Sequence, residues 1–115
     1  MLFLEYPPCS TCKKAKAWLD GHGVCYTDRN IKIENPSYEE LKAWHERSGL
    51  PLKKFFNTSG LLYKSLNLKD RLPEMTEEEQ LRLLSYDGML VKRPILVAED
   101  KILVGFREAE WETIL

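Results

Sequence analysis

No apolar run in this chain of 115 residues reaches the length of about 20 hydrophobic residues that crosses a bilayer. Met1 opens directly into a strand-like segment, so no signal peptide is expected. An excess of one charge is missing too: the net charge is −1. A balanced chain has no global electrostatic reason to seek nucleic acid or a membrane surface. Cysteine is scarce and odd in number, three residues, which is not the pattern of a secreted disulfide framework. The two histidines, His22 and His45, stand alone and carry no motif. Linkers, repeats and low-complexity tracts are missing, and the length suits one domain, residues 1–115, with a core that needs no covalent staples. These absences point to a cytoplasmic protein, a compartment where paired thiols cycle instead of stapling the fold.

Two of the three cysteines stand together in Cys9-Ser10-Thr11-Cys12. The pair follows an apolar run, Leu2 to Tyr6, and leads into Lys13-Lys14-Ala15-Lys16-Ala17-Trp18-Leu19, which reads as a helix. A thiolate is the reactive form of cysteine, and a free thiol has a pKa of about 8.5. The first turn of a helix offers unpaired N–H groups and the positive end of the macrodipole. A sulfur at Cys9 is therefore placed to be stabilised as an anion by the amides of Thr11 and Cys12, with Lys13, Lys14 and Lys16 adding positive potential. Cys12 falls one turn on, on the same face, so a Cys9–Cys12 disulfide is geometrically reasonable. Two other readings of the pair stay open on residues alone. It is half of a zinc site only if further ligands come from Cys25, His22 or His45, none of which is paired at ligand spacing. It is inert core if both sulfurs are simply buried.

The rest of the chain reads as βαβ, a helical block, then ββα. Leu2–Tyr6 is the first strand, about Ser10–Asp20 the first helix with Cys12, Ala15, Trp18 and Leu19 on one face, and Val24–Thr27 the second strand. Gly21 and Gly23 separate the last two. A crossover of this kind sets the two strands parallel. Asn35-Pro36 breaks the chain. Ser37-Tyr38-Glu39-Glu40 and Thr76-Glu77-Glu78-Glu79 are capping boxes that open helices carrying Leu41, Trp44, Leu81 and Leu84 inward. Short helical stretches around Leu52–Phe56 and Leu62–Leu66 flank a turn at Asn57–Gly60. Ile95–Ala98 and Ile102–Val104 read as an antiparallel hairpin, followed by a short helix, Glu108–Leu115. Cys25 lies in the expected second strand and is expected in the core.

Arg93-Pro94 stands directly before the third strand. Local sequence leaves two readings of Pro94 equally open, a cis bond at a tight functional turn or a trans proline starting a strand. Arg107 follows Gly105-Phe106 past the fourth strand. Strand ends beside the first helix bring Arg93 and Arg107 towards Cys9, and two guanidinium forks at a thiolate make an oxyanion site.

With Pro8-Cys9-Ser10-Thr11-Cys12-Lys13-Lys14-Ala15, Arg29-Asn30-Ile31, Tyr63-Lys64-Ser65-Leu66-Asn67 and Arg93-Pro94-Ile95-Leu96 in view, the chain resembles the arsenate reductase (ArsC/Spx/MgsR) family over essentially its whole length. The resemblance implies an α/β fold, a thioredoxin-like mixed four-stranded sheet with a helical insertion at about residues 36–90, and a cis Pro94. In the reductases of the family, a cysteine matching Cys9 attacks arsenate, and glutathione with glutaredoxin reduces the adduct. Three arginines hold the oxyanion; Arg93 and Arg107 match two, and the third falls at or near Asn57, a neutral amide. Lys64 compensates only if the insertion turns it inward. In the Spx-type regulators, a pair matching Cys9 and Cys12 is a redox switch, and the protein binds the RNA polymerase α subunit. The expectation is a thiol-redox protein with Cys9 as nucleophile and Cys12 as resolving thiol. It needs no bound cofactor or metal, and takes electrons from glutathione, glutaredoxin or thioredoxin. Its partners are a small oxyanion or a thiol-redox protein, with an Spx-type regulator on RNA polymerase α as the alternative.

Overall fold

The computed structural model describes residues 1–115 as a four-stranded mixed sheet in the order β2-β1-β3-β4. The strands are β1 (Leu2–Glu5), β2 (Thr27–Asn30), β3 (Ile95–Val97) and β4 (Ile102–Val104). β1 pairs parallel with β2 and antiparallel with β3, and β3 forms a hairpin with β4. The register puts Phe3, Leu96 and Leu103 in one row across three strands. Successive side chains alternate faces. That row therefore meets the helix α1 (Ser10–Gly21) and the C-terminal α6 (Glu108–Trp111), closing a core with Ala15, Trp18, Leu19 and Trp111. Leu4, Ile95 and Ile102 point the other way into a larger core built by the helical block.

That block lies between β2 and β3 and comprises α2 (Tyr38–Ser48), α3 (Leu61–Ser65), α4 (Leu68–Arg71) and α5 (Glu77–Tyr86), with one 3₁₀ turn between α2 and α3 and one between α4 and α5. Both capping boxes form, Ser37 with Glu40 and Thr76 with Glu79. The two ends of the block are pinned side by side. Asn35 Nδ2 donates to the Ser85 carbonyl at 2.6 Å, Phe56 bridges Val91, and Gly88 lies against the Ile31 carbonyl. A Cβ at residue 88 would sit 1.8 Å from that oxygen, so only glycine fits.

The second strand begins where its expected span ends, at Thr27. The β-branched and aromatic run Val24–Thr27 is mostly approach. Val24 and Tyr26 pack against the smaller core, Tyr26 edge-on to Phe3 at 5.4 Å, and Cys25 between them faces outward. Cys25 is exposed, not core. The strand itself is the polar Thr27-Asp28-Arg29-Asn30, held at the sheet edge by side-chain pairings that β propensity does not register. Arg29 forks onto Glu40, Asp28 binds Lys16, and Asn30 Oδ1 accepts the Lys32 and Ile33 amides.

Candidate active site

Cys9 is the N-cap of α1. Its amide is tied back to the Tyr6 carbonyl at 2.9 Å, and its own carbonyl accepts the first intrahelical bond from Lys13 at 3.0 Å. The Pro7-Pro8 turn thus delivers the sulfur to the unpaired amides of the first turn. Cys9 is partly exposed, Cys12 is fully buried, and no disulfide joins them. Burial pushes the Cys9 thiol up. The Cys12 amide and thiol, the Thr11 amide and the Arg93 guanidinium together outweigh that burial and hold it below its ordinary range. Cys12 goes the other way, up to about 12. Burial is the main cause and the neighbouring Cys9 sulfur adds to it, against the Tyr6 N–H that reaches Cys12 Sγ at 3.4 Å. The environment thus moves two chemically identical groups in opposite directions, Cys9 towards the thiolate and Cys12 towards the thiol.

The Arg93–Pro94 bond is cis. Arg93 lies over the Tyr6 ring, 5.0 Å from its centroid, and its Nε and Nη1 are buried without a partner in the protein. These free donors beside the Cys9 sulfur are chemically suited to bind an anion. Arg107 lines the same groove but is not drawn to the sulfur. Its side chain is 81% exposed, and its Nε lies 3.7 Å from Glu110. Asn57 is also on the wall, its amide folded over Gly60. Lys64 is exposed and away from the groove. Lys13 and Lys14 are solvated, and Lys16 is engaged elsewhere, at 2.8 Å from Asp28 and 3.5 Å from Glu5.

Glu5 is the buried acid that the sequence reading did not single out. It is 2% exposed, lies beside Asp28, and its Oε2 has no hydrogen-bond partner. Burial first, then Asp28, pushes its carboxyl up to about 7, with Lys16 partly countering. The signal was available: a charge at the end of Leu2-Phe3-Leu4-Glu5 falls on the Phe3 face, under α1. No group of three His, Cys, Asp or Glu side chains is placed to hold a metal ion.

A mixed four-stranded sheet that sets a Cys-x-x-Cys pair at the first turn of its first helix, with a cis-proline before β3, defines a thioredoxin-like protein. The chain belongs to the ArsC family, whose model matches residues 4–114. Among solved structures, a Bacteroides fragilis protein described as ArsC family related is 59% identical, with a TM-score of 0.97 over 99% of this chain and 96% of that one. A Streptococcus mutans UA159 protein described as a possible arsenate reductase is 48% identical, with a TM-score of 0.91 over 99% and 97%. The uncharacterized protein YusI of Bacillus subtilis is 54% identical over 97% of this chain and 95% of its own length. The regulatory protein MgsR of the same organism is 34% identical over 96% and 86%. No helix is long and apolar enough to cross a membrane.

Proposed function

We propose that this chain is a thiol-redox protein of the cytoplasm in which Cys9 is the nucleophile and Cys12 the resolving thiol, reducing a small oxyanion or a disulfide. The observation that carries the reading is the opposed environments of the two sulfurs, one half-exposed at the start of α1 with its pKa lowered, against burial, by the helix amides and Arg93, and one buried a turn behind with its pKa raised. With a disulfide, the Cys9 thiolate bonds to one substrate sulfur, the substrate S–S bond breaks, and the far sulfur leaves with the electron pair. Cys9 is then neutral, so one influence that kept Cys12 protonated is gone. Cys12 gives its proton to the departing thiolate, attacks Cys9 Sγ and expels the second substrate sulfur. Two electrons have passed to the substrate, and a dithiol or glutathione donor restores the pair.

A second reading is favoured by the likeness to MgsR: a redox-sensing regulator that docks on the RNA polymerase α subunit and is switched by the same thiol pair. One comparison separates the two. Reduction of a disulfide, or of arsenate with glutathione and glutaredoxin, lost in Cys9→Ser, marks the enzyme. Retention on immobilised polymerase α C-terminal domain, dependent on the oxidation state of Cys9 and Cys12, marks the regulator. A chain with neither behaviour, whose Cys9 alkylates no faster than a free thiol, defeats both.

A further inference from the structure

The groove that opens on Cys9 has a volume of about 1090 Å³. A tetrahedral oxyanion is only a few times the size of a water molecule, whose share of liquid volume is about 30 Å³. The groove exceeds even the usual 300–1,000 Å³ or so of small-molecule pockets. Its walls are not those of an inorganic-ion site. Leu61, at the start of α3, is 87% exposed on the rim, and Leu62 and Phe106 continue the apolar surface.

The charge is spread out as well. Lys53, Lys54 and Lys92 line the groove, and none of them is in an ion pair. The acids of the lining are already occupied: Asp87 Oδ1 accepts the Met89 amide at 2.8 Å, and Glu110 faces Arg107. The groove therefore sets Lys53, Lys54, Lys92, Arg93 and Arg107 against only Asp87 and Glu110, a locally positive surface on a chain of net charge −1. Near the sulfur itself the arrangement is sparse, with Arg93 close, Arg107 solvated and Asn57 neutral. The adjacent Lys53 and Lys54, with Lys92 from another segment and the exposed apolar side chains, match a ligand that carries several negative charges along an apolar chain.

We propose that the groove takes an extended, acidic polypeptide segment of a partner protein and presents a cysteine disulfide within it to Cys9, so that the substrate class is a protein disulfide flanked by acidic and apolar residues. This rests on the thiol-redox reading above and names its substrate. The chemistry is the exchange already written, with the partner's disulfide as oxidant and the Cys9–Cys12 pair as two-electron reductant.

The test uses three synthetic peptides, each with one cysteine joined to 5-thio-2-nitrobenzoate. The cysteine is flanked by Glu and Leu, by Lys and Leu, or by Gly and Ser. Attack by Cys9 forms the Cys9–peptide disulfide and expels the coloured thiolate, the better leaving group. Cys25→Ser protein is used, because Cys25 is exposed and would also react. We expect the acidic peptide to react at least about tenfold faster than the basic one at low salt, within the range that electrostatic steering provides. The advantage should shrink as salt shortens the screening length. Lys53→Glu/Lys54→Glu should abolish or reverse the ratio, and Leu61→Ser should slow the acidic peptide. Lys42→Glu, exposed on α2 outside the groove, should leave the ratio intact. Brisk release at equal rates from all three peptides, unaltered in the double variant, overturns the groove proposal and leaves the thiol reading standing. Release no faster than from Cys9→Ser overturns both.

Discussion

The proposed chemistry turns on two residues, Cys9 and Asn57. The amides at the start of α1 and Arg93 outweigh burial at Cys9. Alkylation of Cys9 against pH, in Cys25→Ser protein, should therefore show a midpoint below the free value of about 8.5. A midpoint at or above that value removes the activated thiol. Asn57 offers an amide dipole where an oxyanion site gains from a fixed charge. A charge-assisted contact of roughly 1.5–3 kcal/mol corresponds to about a 10- to 150-fold change in stabilising a bound oxyanion. Wild-type arsenate reduction should be weak or absent, and Asn57→Arg should raise it within that range. Robust wild-type turnover with no gain in the variant would show that the position does not matter. The residues legible from sequence were those whose placement is set locally. Cys9 needed only a helix start, and the cis bond at Pro94 needed the family resemblance as well as the Arg-Pro pair. Arg107 and Cys25 were not legible. One depends on which neighbour, Glu110 or the sulfur, claims its guanidinium. The other depends on a strand that starts two residues beyond it.

At the scale of elements, α1 is held on the sheet by an apolar stripe and by one polar clip, Lys16 between Glu5 and Asp28. The native Glu5 carboxyl titrates near 7, above its unfolded value, so the folded state binds more protons than the unfolded state between about pH 4.5 and 7. Its contribution is full below the unfolded value and is lost as pH rises through 7. Asp28, held low by Glu5 and Lys16 against its own burial, acts in the opposite sense, at more acid pH. Urea unfolding at pH 5, 6 and 7 should therefore show a falling contribution that Glu5→Gln flattens. Parallel slopes in the two proteins would show that burial does not raise the Glu5 carboxyl in the folded state. The other elements declared themselves through capping boxes and alternation, and both boxes close as their spacing dictates. β2 did not, because its stability comes from Arg29, Asp28 and Asn30 reaching outside the strand.

Across the whole molecule, two cores share one sheet, and the helical block is fastened where it leaves and rejoins that sheet. Gly88 is the tightest point. Gly88→Ala should destabilise by about 1–3 kcal/mol or more, since the new methyl group meets backbone instead of a yielding side chain. Gly21→Ala, at the end of α1 with nothing within 4 Å, should be neutral or stabilising by up to about 1 kcal/mol. Denaturant midpoints of the two variants decide it, and equal shifts would discount the pinch. The overall layout was legible because hydrophobic period switches from two to near four and back along the chain. Which faces meet was not, since that depends on register between distant strands.

That register has a consequence for how the protein is made. β1 is a central strand, yet its antiparallel neighbour β3 lies beyond the whole helical block. Synthesis runs at about 5–20 residues per second, so the ribosome supplies the partner of β1 roughly 5–20 s after β1 itself. Throughout that interval α1 can lean on only half a sheet, without Leu96, Leu103 or Trp111 to close its core. Cys12, sealed in the finished fold, is then as open to oxidants as Cys9. The nascent chain thus passes through a window in which its thiols are unprotected by structure and depend wholly on the reducing power of their surroundings.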